Sequence, residues 1–333
     1  RIIGLFFLIP FYKVFGISFV YILSALMVFI YSLSFYYLSK EMGLKNKLSS
    51  VIAIFTIINS TIIVGSLFTL TFRFLSIGVL SVAIYHLEKD NFKNTFYLFL
   101  TFLLFGEAGA PIGFSYGIYM IIFKKEKFYG GLLSVISCLY FLFYLKLSSF
   151  VNYDQYLYSN QLSQLFNPIE LFNLLASYDR LVPIFLISLP FLPFLFLSPI
   201  VLLSIPVLFM NMLSDAGITP QYAYALTPII PIFFHSYIIG IKKLKEIKNL
   251  KNSVILAIIL PTFLLSLYVY NPIKFAYHHK STPLSITDHD RLAWQMGELI
   301  PKSSSLSSSF ELRSINWDRT TAYLFPRISN RFQ

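Results

Sequence analysis

Residues 95–127 read TFYLFLTFLLFGEAGAPIGFSYGIYMIIFKKEK. The apolar run 95–123 is broken by Gly106, Glu107, Gly109 and Pro111, and it is closed by Lys124, Lys125, Glu126 and Lys127 with a net charge of +2. A membrane span takes about 20 apolar residues, or fewer where a half-helix is buried in protein. The run therefore reads as two short helices that meet at a Gly/Pro-rich turn. Irregular backbone at membrane depth is tolerated only where it packs in protein or lines a cavity. A carboxylate placed there is a functional candidate by default. Glu107 is the strongest such candidate, against the plainer reading of a glutamate snorkelling from a helix end.

Composition supports this reading. Of 333 residues, 56% are hydrophobic, 18% aromatic and 12% charged. A soluble domain carries about 25% charged residues, so a soluble globule of this length lacks the charges to cover its surface. That excludes a cytosolic enzyme, a disordered chain and a disulfide scaffold. A polytopic membrane protein remains. The formal net charge of +11 is read as loop orientation rather than nucleic-acid affinity. The single cysteine, Cys138, lies in an apolar run and is expected to be a buried structural thiol.

Working outward from the broken run, apolar spans fall at 17–38, 49–70, 72–87, 129–147, 181–197, 199–213, 223–241 and 253–270. Lys40, Glu41, Lys45 and Lys47 sum to +2, and the lysine-rich segment 242–251 sums to +4. With 95–123 as a hairpin and two spans within 181–213, one alternation puts all three basic clusters in the cytoplasm. The loops 148–180 and 214–222 and the tail from 271 then lie outside. The expected fold is an all-α polytopic membrane protein of about 9–10 transmembrane or half-membrane helices. Residues 1–270 form the transmembrane domain and 271–333 a small extracytoplasmic α/β segment. In that tail, Ile286, Leu292, Met296, Leu299 and Ile300 can share a helix face, and 305–312 and 321–325 read as short strands. No signal peptide is visible. With Arg1 first and Gln333 last, the sequence reads as an internal stretch of a longer protein, with at least one more span expected before Arg1 and a tail cut short.

Further candidates lie at the outer face. Arg73 sits between two spans, where a guanidinium can grip a phosphate; a headgroup contact or a helix cap competes. Tyr222 and Tyr224 bracket the start of a span, for which an aromatic belt is the plainer account. Asp154, Asp179 and Arg180 share the large outer loop; Asp154 and Arg180 are taken as substrate-binding candidates. His278 and His279 are adjacent, so they do not face one another, and no metal site is expected there. No phosphate-binding glycine loop, zinc-protease motif or nucleophile elbow is present.

The order of features resembles the predicted membrane protein family known as domain of unknown function 2079, and through it the class C glycosyltransferases. Four stretches carry the resemblance: Pro10-Phe11-Tyr12 to Gly16 with Tyr37-Leu38-Ser39-Lys40; Leu103-Leu104-Phe105-Gly106-Glu107-Ala108; Pro206 to Leu213 with Gln221-Tyr222-Ala223-Tyr224, Pro228 and Pro231; and Leu299-Ile300-Pro301 to Ser309 with Tyr323-Leu324-Phe325-Pro326. Of the family's Lys-Glu-Asp only Glu107 matches, Ala223 stands where a histidine is expected, and no Phe-His-Pro-Glu stands in 68–73. The acidic first outer loop usual in class C enzymes would precede Arg1. These departures fit a divergent or inactive member.

The resemblance implies transfer of a sugar from a polyprenyl-phosphate carrier in the lipid bilayer to an extracytoplasmic glycan or protein acceptor, with no nucleic acid involved. Glu107 would act as general base, or a carboxylate-bound divalent metal would assist the leaving phosphate, with Arg73 on the phosphate. The rival readings are a membrane transporter or lipid flippase, which broken helices with embedded charge also mark, and a non-catalytic membrane scaffold.

Overall fold

The computed structural model describes residues 14–63 apart from 16 and 60, 72–150 apart from 107, parts of 167–176, 177–212, 227–269 apart from 249, and short pieces of the tail within 291–299, 306–308 and 322–324. The chain divides into two compact units, Arg1–Ala276 and Tyr277–Gln333.

The first unit is helical. Helix α1 (Ile17–Glu41) and α2 (Asn46–Ile57) are joined at Gly43, whose φ of +79° closes the corner. Helix α3 (Phe72–Glu88) and α4 (Phe92–Leu103) are joined by a tight turn. In that turn Asn91 caps α4, its side chain accepting from the Asn94 N–H. The hairpin run divides into α4 and α5 (Gly109–Ile122), and α6 (Lys127–Phe150) packs back along α5. Helix α7 (Tyr178–Ser188) follows.

Among the described residues, three helical stretches are long and apolar enough to cross a membrane: Tyr21–Glu41, Asn46–Ile63 and Lys127–Tyr144. The other expected spans are shorter or segmented, and the cause is local. Stretch 181–197 divides into α7, a 3-10 turn at Leu189–Phe191 and α8 (Leu192–Leu195), with Pro190 and Pro193 near the starts of the last two. Stretch 199–213 opens as a 3-10 segment, Pro199–Ser204, before α9 (Ile205–Met212). Proline lacks the N–H that a continuing helix needs. Helix α2 stops at Ile57, and the Asn59 side chain accepts from the Thr61 N–H at 3.0 Å.

Helix α10 (Ile230–Lys248) compensates the broken stretches. Its Ser236 hydroxyl donates to the Leu195 carbonyl at 2.7 Å, and Lys243 Nζ donates to the Leu197 carbonyl at 3.3 Å. Backbone freed by proline is satisfied from a neighbouring helix, as a membrane interior requires. Helix α11 (Asn252–Val269) stacks Phe263 on Phe55 of α2, ring centroids 4.0 Å apart. Tyr31, Phe35, Phe191 and Phe234, each 1% exposed or less, form the aromatic centre of this unit.

The contact between α5 and α6 is made of small residues. Gly109, Gly113 and Gly117 repeat every four positions on α5, so they share one face. A Cβ on Gly113 would lie 2.5 Å from the Ser137 hydroxyl, and one on Gly117 would meet Ser134 and stand 2.7 Å from the Gly130 carbonyl. This is close backbone packing of the small-xxx-small kind that membrane helices use.

Cys138 corrects the sequence expectation: the thiol is exposed, not buried. Helix α6 packs one face on α5 and leaves Val135, Leu139, Leu142 and Phe143 exposed, and Cys138 falls on that uncovered side.

In the second unit, 291–292, 295–296 and 299 are helical, with Leu292, Met296 and Leu299 exposed. Strands β1 (Leu306–Ser308) and β2 (Ala322–Leu324) pair in parallel, Leu306 opposite Ala322 and Ser308 opposite Leu324.

Candidate functional site

The lysine-bearing loops meet at one end of the bundle. Lys245 Nζ donates to the Gly43 carbonyl at 3.3 Å, and Lys89 pairs with Glu41 at 3.4 Å. Lys124 bridges Glu88 at 3.1 Å and Asp90 at 3.0 Å. Lys245 thereby closes the carbonyl end of α1, where a cation is favoured by the helix dipole.

Just inside that end lies a buried polar cluster drawn from three helices. Glu88 is the last residue of α3, Tyr116 and Tyr119 lie on α5, and His235 lies on α10. His235 Nε2 is 3.0 Å from Glu88 Oε1, and its Nδ1 is 3.2 Å from the Tyr116 hydroxyl. Tyr119 donates to Glu88 Oε1 at 3.3 Å, and Lys124 to Glu88 Oε2 at 3.1 Å. The His235 side chain is 0% exposed and that of Glu88 6%. Nε2–H donates to the carboxylate, and Nδ1 pairs with the Tyr116 hydroxyl, so every member has a partner. The Tyr116 ring lies nearly parallel to the imidazole, at 9° and 6.1 Å between centroids.

Glu88 stands one residue beyond the span 72–87. Burial pushes its carboxyl up, but the hydrogen bonds and charges of His235 and Lys124 outweigh this and hold it at about 2, against an ordinary value of 4.5. Burial works against the Lys124 charge, yet Glu88 and Asp90 hold its pKa above the ordinary value. A carboxylate at a helix C-terminus opposes the helix dipole, so these partners are what keep Glu88 ionised there. The chain Tyr116–His235–Glu88–Lys124–Asp90 runs from fully buried to exposed groups, Asp90 being 64% exposed. It can hold and pass a proton along hydrogen bonds, and it pins α3, α5 and α10 together.

The outer candidates are placed differently. Glu107, Asp154, Tyr222 and Tyr224 lie outside the described residues. Arg73 stands in the first turn of α3 and Arg180 in the first turn of α7, their side chains outside what is described. Described neighbours of three of these segments do converge. Gly106 and Ala108, which flank Glu107, line one small hollow with Ser76 and Pro228. Ser76 is three residues after Arg73 and Pro228 four after Tyr224. Gly106 has φ +143°, a backbone state reserved for glycine. This hollow lies at the hairpin turn, the end of α4 and α5 away from the lysines. Among the described residues, no group of three or more His, Cys, Asp or Glu is placed to hold a metal ion.

Sequence reasoning missed the inner cluster. Its signal was a histidine, His235, inside the apolar stretch 223–241, and a glutamate, Glu88, directly abutting the span 72–87. Within their own loop, Glu88 and Asp90 cancel Lys89 and Lys93 as charges. That sum hid a partner 147 positions away.

Apolar helices of spanning length, proline breaks satisfied from neighbouring helices and a buried ionised cluster together define a polytopic helical membrane protein. More particularly, the chain belongs to the family described as predicted membrane protein (DUF2079), whose model matches residues 2–331. No curated protein and no solved structure matches it.

Proposed function

We propose that the chain is a class C-like membrane glycosyltransferase, or a divergent relative of one, that transfers a sugar from a polyprenyl-phosphate carrier to an acceptor at the outer face. One observation carries the reading: Gly106, Ala108, Ser76 and Pro228, near in sequence to Glu107, Arg73 and Tyr224, line one hollow at the end of the bundle away from the lysines. Glu107 then serves as general base on the acceptor hydroxyl, and Arg73 contacts the phosphate. Tyr222 and Tyr224, with Asp154 and Arg180 of the loop 148–180, border the acceptor. The tail 271–333 is an extracytoplasmic α/β segment of a multi-pass protein of the cell membrane. The test is sugar transfer in vitro by the full-length protein and its Glu107→Gln variant. Loss of transfer in the variant is expected, and unchanged transfer overturns the role of Glu107.

A second reading, a transporter or flippase, is favoured by buried His235, which lies within the stretch 223–241 and leads to Glu88 and Lys124, since ionisable residues within membrane helices mark ion and proton paths. Proton flux into vesicles that Glu88→Gln abolishes would select it.

A further inference from the structure

On the side of α5 that faces α9 lies a cavity of about 500 Å³, between Pro111 and Phe114 of α5, Cys138 and Leu142 of α6, and Phe209 of α9. Among the described residues its walls are apolar and no charged side chain lines it. The one hydroxyl on its boundary, Ser137, is fully buried and turned against Gly113. The volume falls in the range of ligand sites, roughly 300–1,000 Å³.

Its position indicates the occupant. Phe114 is 38% exposed and Leu142 61%, so residues of the wall are also residues of the surface. That surface is the uncovered face of α6, whose side chains Val135, Leu139 and Phe143 are exposed and apolar, with exposed Lys146 near the helix end. Helix α6 is one of the stretches long and apolar enough to span a membrane, so this face is a lipid face and the cavity is continuous with it. Cys138 stands eleven residues after Lys127, about 16 Å along the helix at about 1.5 Å per residue. That is near the middle of a hydrocarbon core of about 30 Å. Acyl chains occupy that level, and headgroups do not.

We propose that this cavity is a lateral binding site for one acyl chain of a bilayer phospholipid, which enters between α6 and α9 while its headgroup stays at the interface. The site stands independently of glycosyl transfer, because it uses none of the residues assigned to that reaction.

The test is photo-crosslinking of the full chain in phospholipid vesicles that contain a phosphatidylcholine with a mid-chain diazirine. The peptides bearing Phe114 and Phe141 are expected to label. Cys138→Trp fills the cavity from an exposed position and should lower that labelling at least fivefold. Leu139→Trp, also exposed but outside the cavity wall, should leave it unchanged. Equal labelling in both variants overturns the proposal, as does label spread evenly around α6. So does a headgroup-borne diazirine that labels Phe114 as well as the mid-chain probe, or occupation of the cavity by the chain's own residues 213–226, seen as a crosslink between that segment and residue 138.

Discussion

His235 and Glu88 are separated by 147 positions in the chain and by 3.0 Å in space, imidazole Nε2 to carboxylate Oε1. The pair joins α10 to the end of α3, and Tyr116 and Tyr119 bring in α5. Breaking one partner of a buried ion pair costs about 3–5 kcal/mol, because the other is left unpaired, whereas replacing both by apolar residues can be neutral.

His235→Ala should therefore lower the thermal unfolding midpoint in detergent, by about 3 kcal/mol in stability, since it leaves Glu88 Oε1 with only the longer Tyr119 bond and strands the Tyr116 hydroxyl. The double variant His235→Leu with Glu88→Leu should recover part of the loss. A double variant as unstable as the sum of the two single ones argues against a coupled pair.

The pH dependence has a definite sign. The Glu88 carboxyl is held at about 2 in the fold against 4.5 ordinarily. Its contribution is complete above about 4.5 and is lost as the pH falls from there toward 2. Unfolding midpoints measured at pH 6, 5, 4 and 3 should fall at the acid end for the native chain. Glu88→Gln, lower at pH 6, should lose less over the same range.

The glycine face of α5 gives a graded series. Gly117→Ala places a Cβ against Ser134 and 2.7 Å from the Gly130 carbonyl, while a Cβ on Gly131 meets nothing within 4 Å. Overpacking costs roughly 1–3 kcal/mol, so Gly117→Ala should destabilise and Gly131→Ala should not. The same midpoint in both variants would show that α5 and α6 do not approach this closely.

Orientation is measurable with the chain's own chemistry. In a Cys138→Ser background, Glu246→Cys should react with a membrane-impermeant maleimide only from the cytoplasmic side, and Ser303→Cys only from the outside. Labelling of both from one side contradicts the alternation that the lysines imply.

Much of the bundle is legible in the sequence because its causes are local. The helices α3, α4 and α5 follow from apolar runs and from the Gly106–Pro111 break, and the lysine loops that the charge rule groups do meet through Lys245 and Gly43. The segmentation of 181–213 was only half visible: its prolines could be read, but not that Ser236 and Lys243 of a distant helix would satisfy the freed carbonyls. The inner cluster was invisible for the same reason. Summing charges loop by loop treats Glu88 as a neighbour of Lys89, while its partners are His235 and Lys124. Cys138 was misjudged because an apolar run does not tell which side of a helix meets lipid and which meets protein.

The unequal lengths of neighbouring helices have a consequence for the bilayer itself. Helix α6 has 24 residues, α5 has 14 and α4 has 12, or about 36, 21 and 18 Å at about 1.5 Å per residue. A hydrocarbon layer of about 30 Å matches the first and overshoots the others. Short hydrophobic segments are met by thinning of the membrane around them. Thinning is then expected at the turn end of α4 and α5. Such thinning brings the headgroup level nearer the turn that holds Gly106 than a layer matched to α6 alone would.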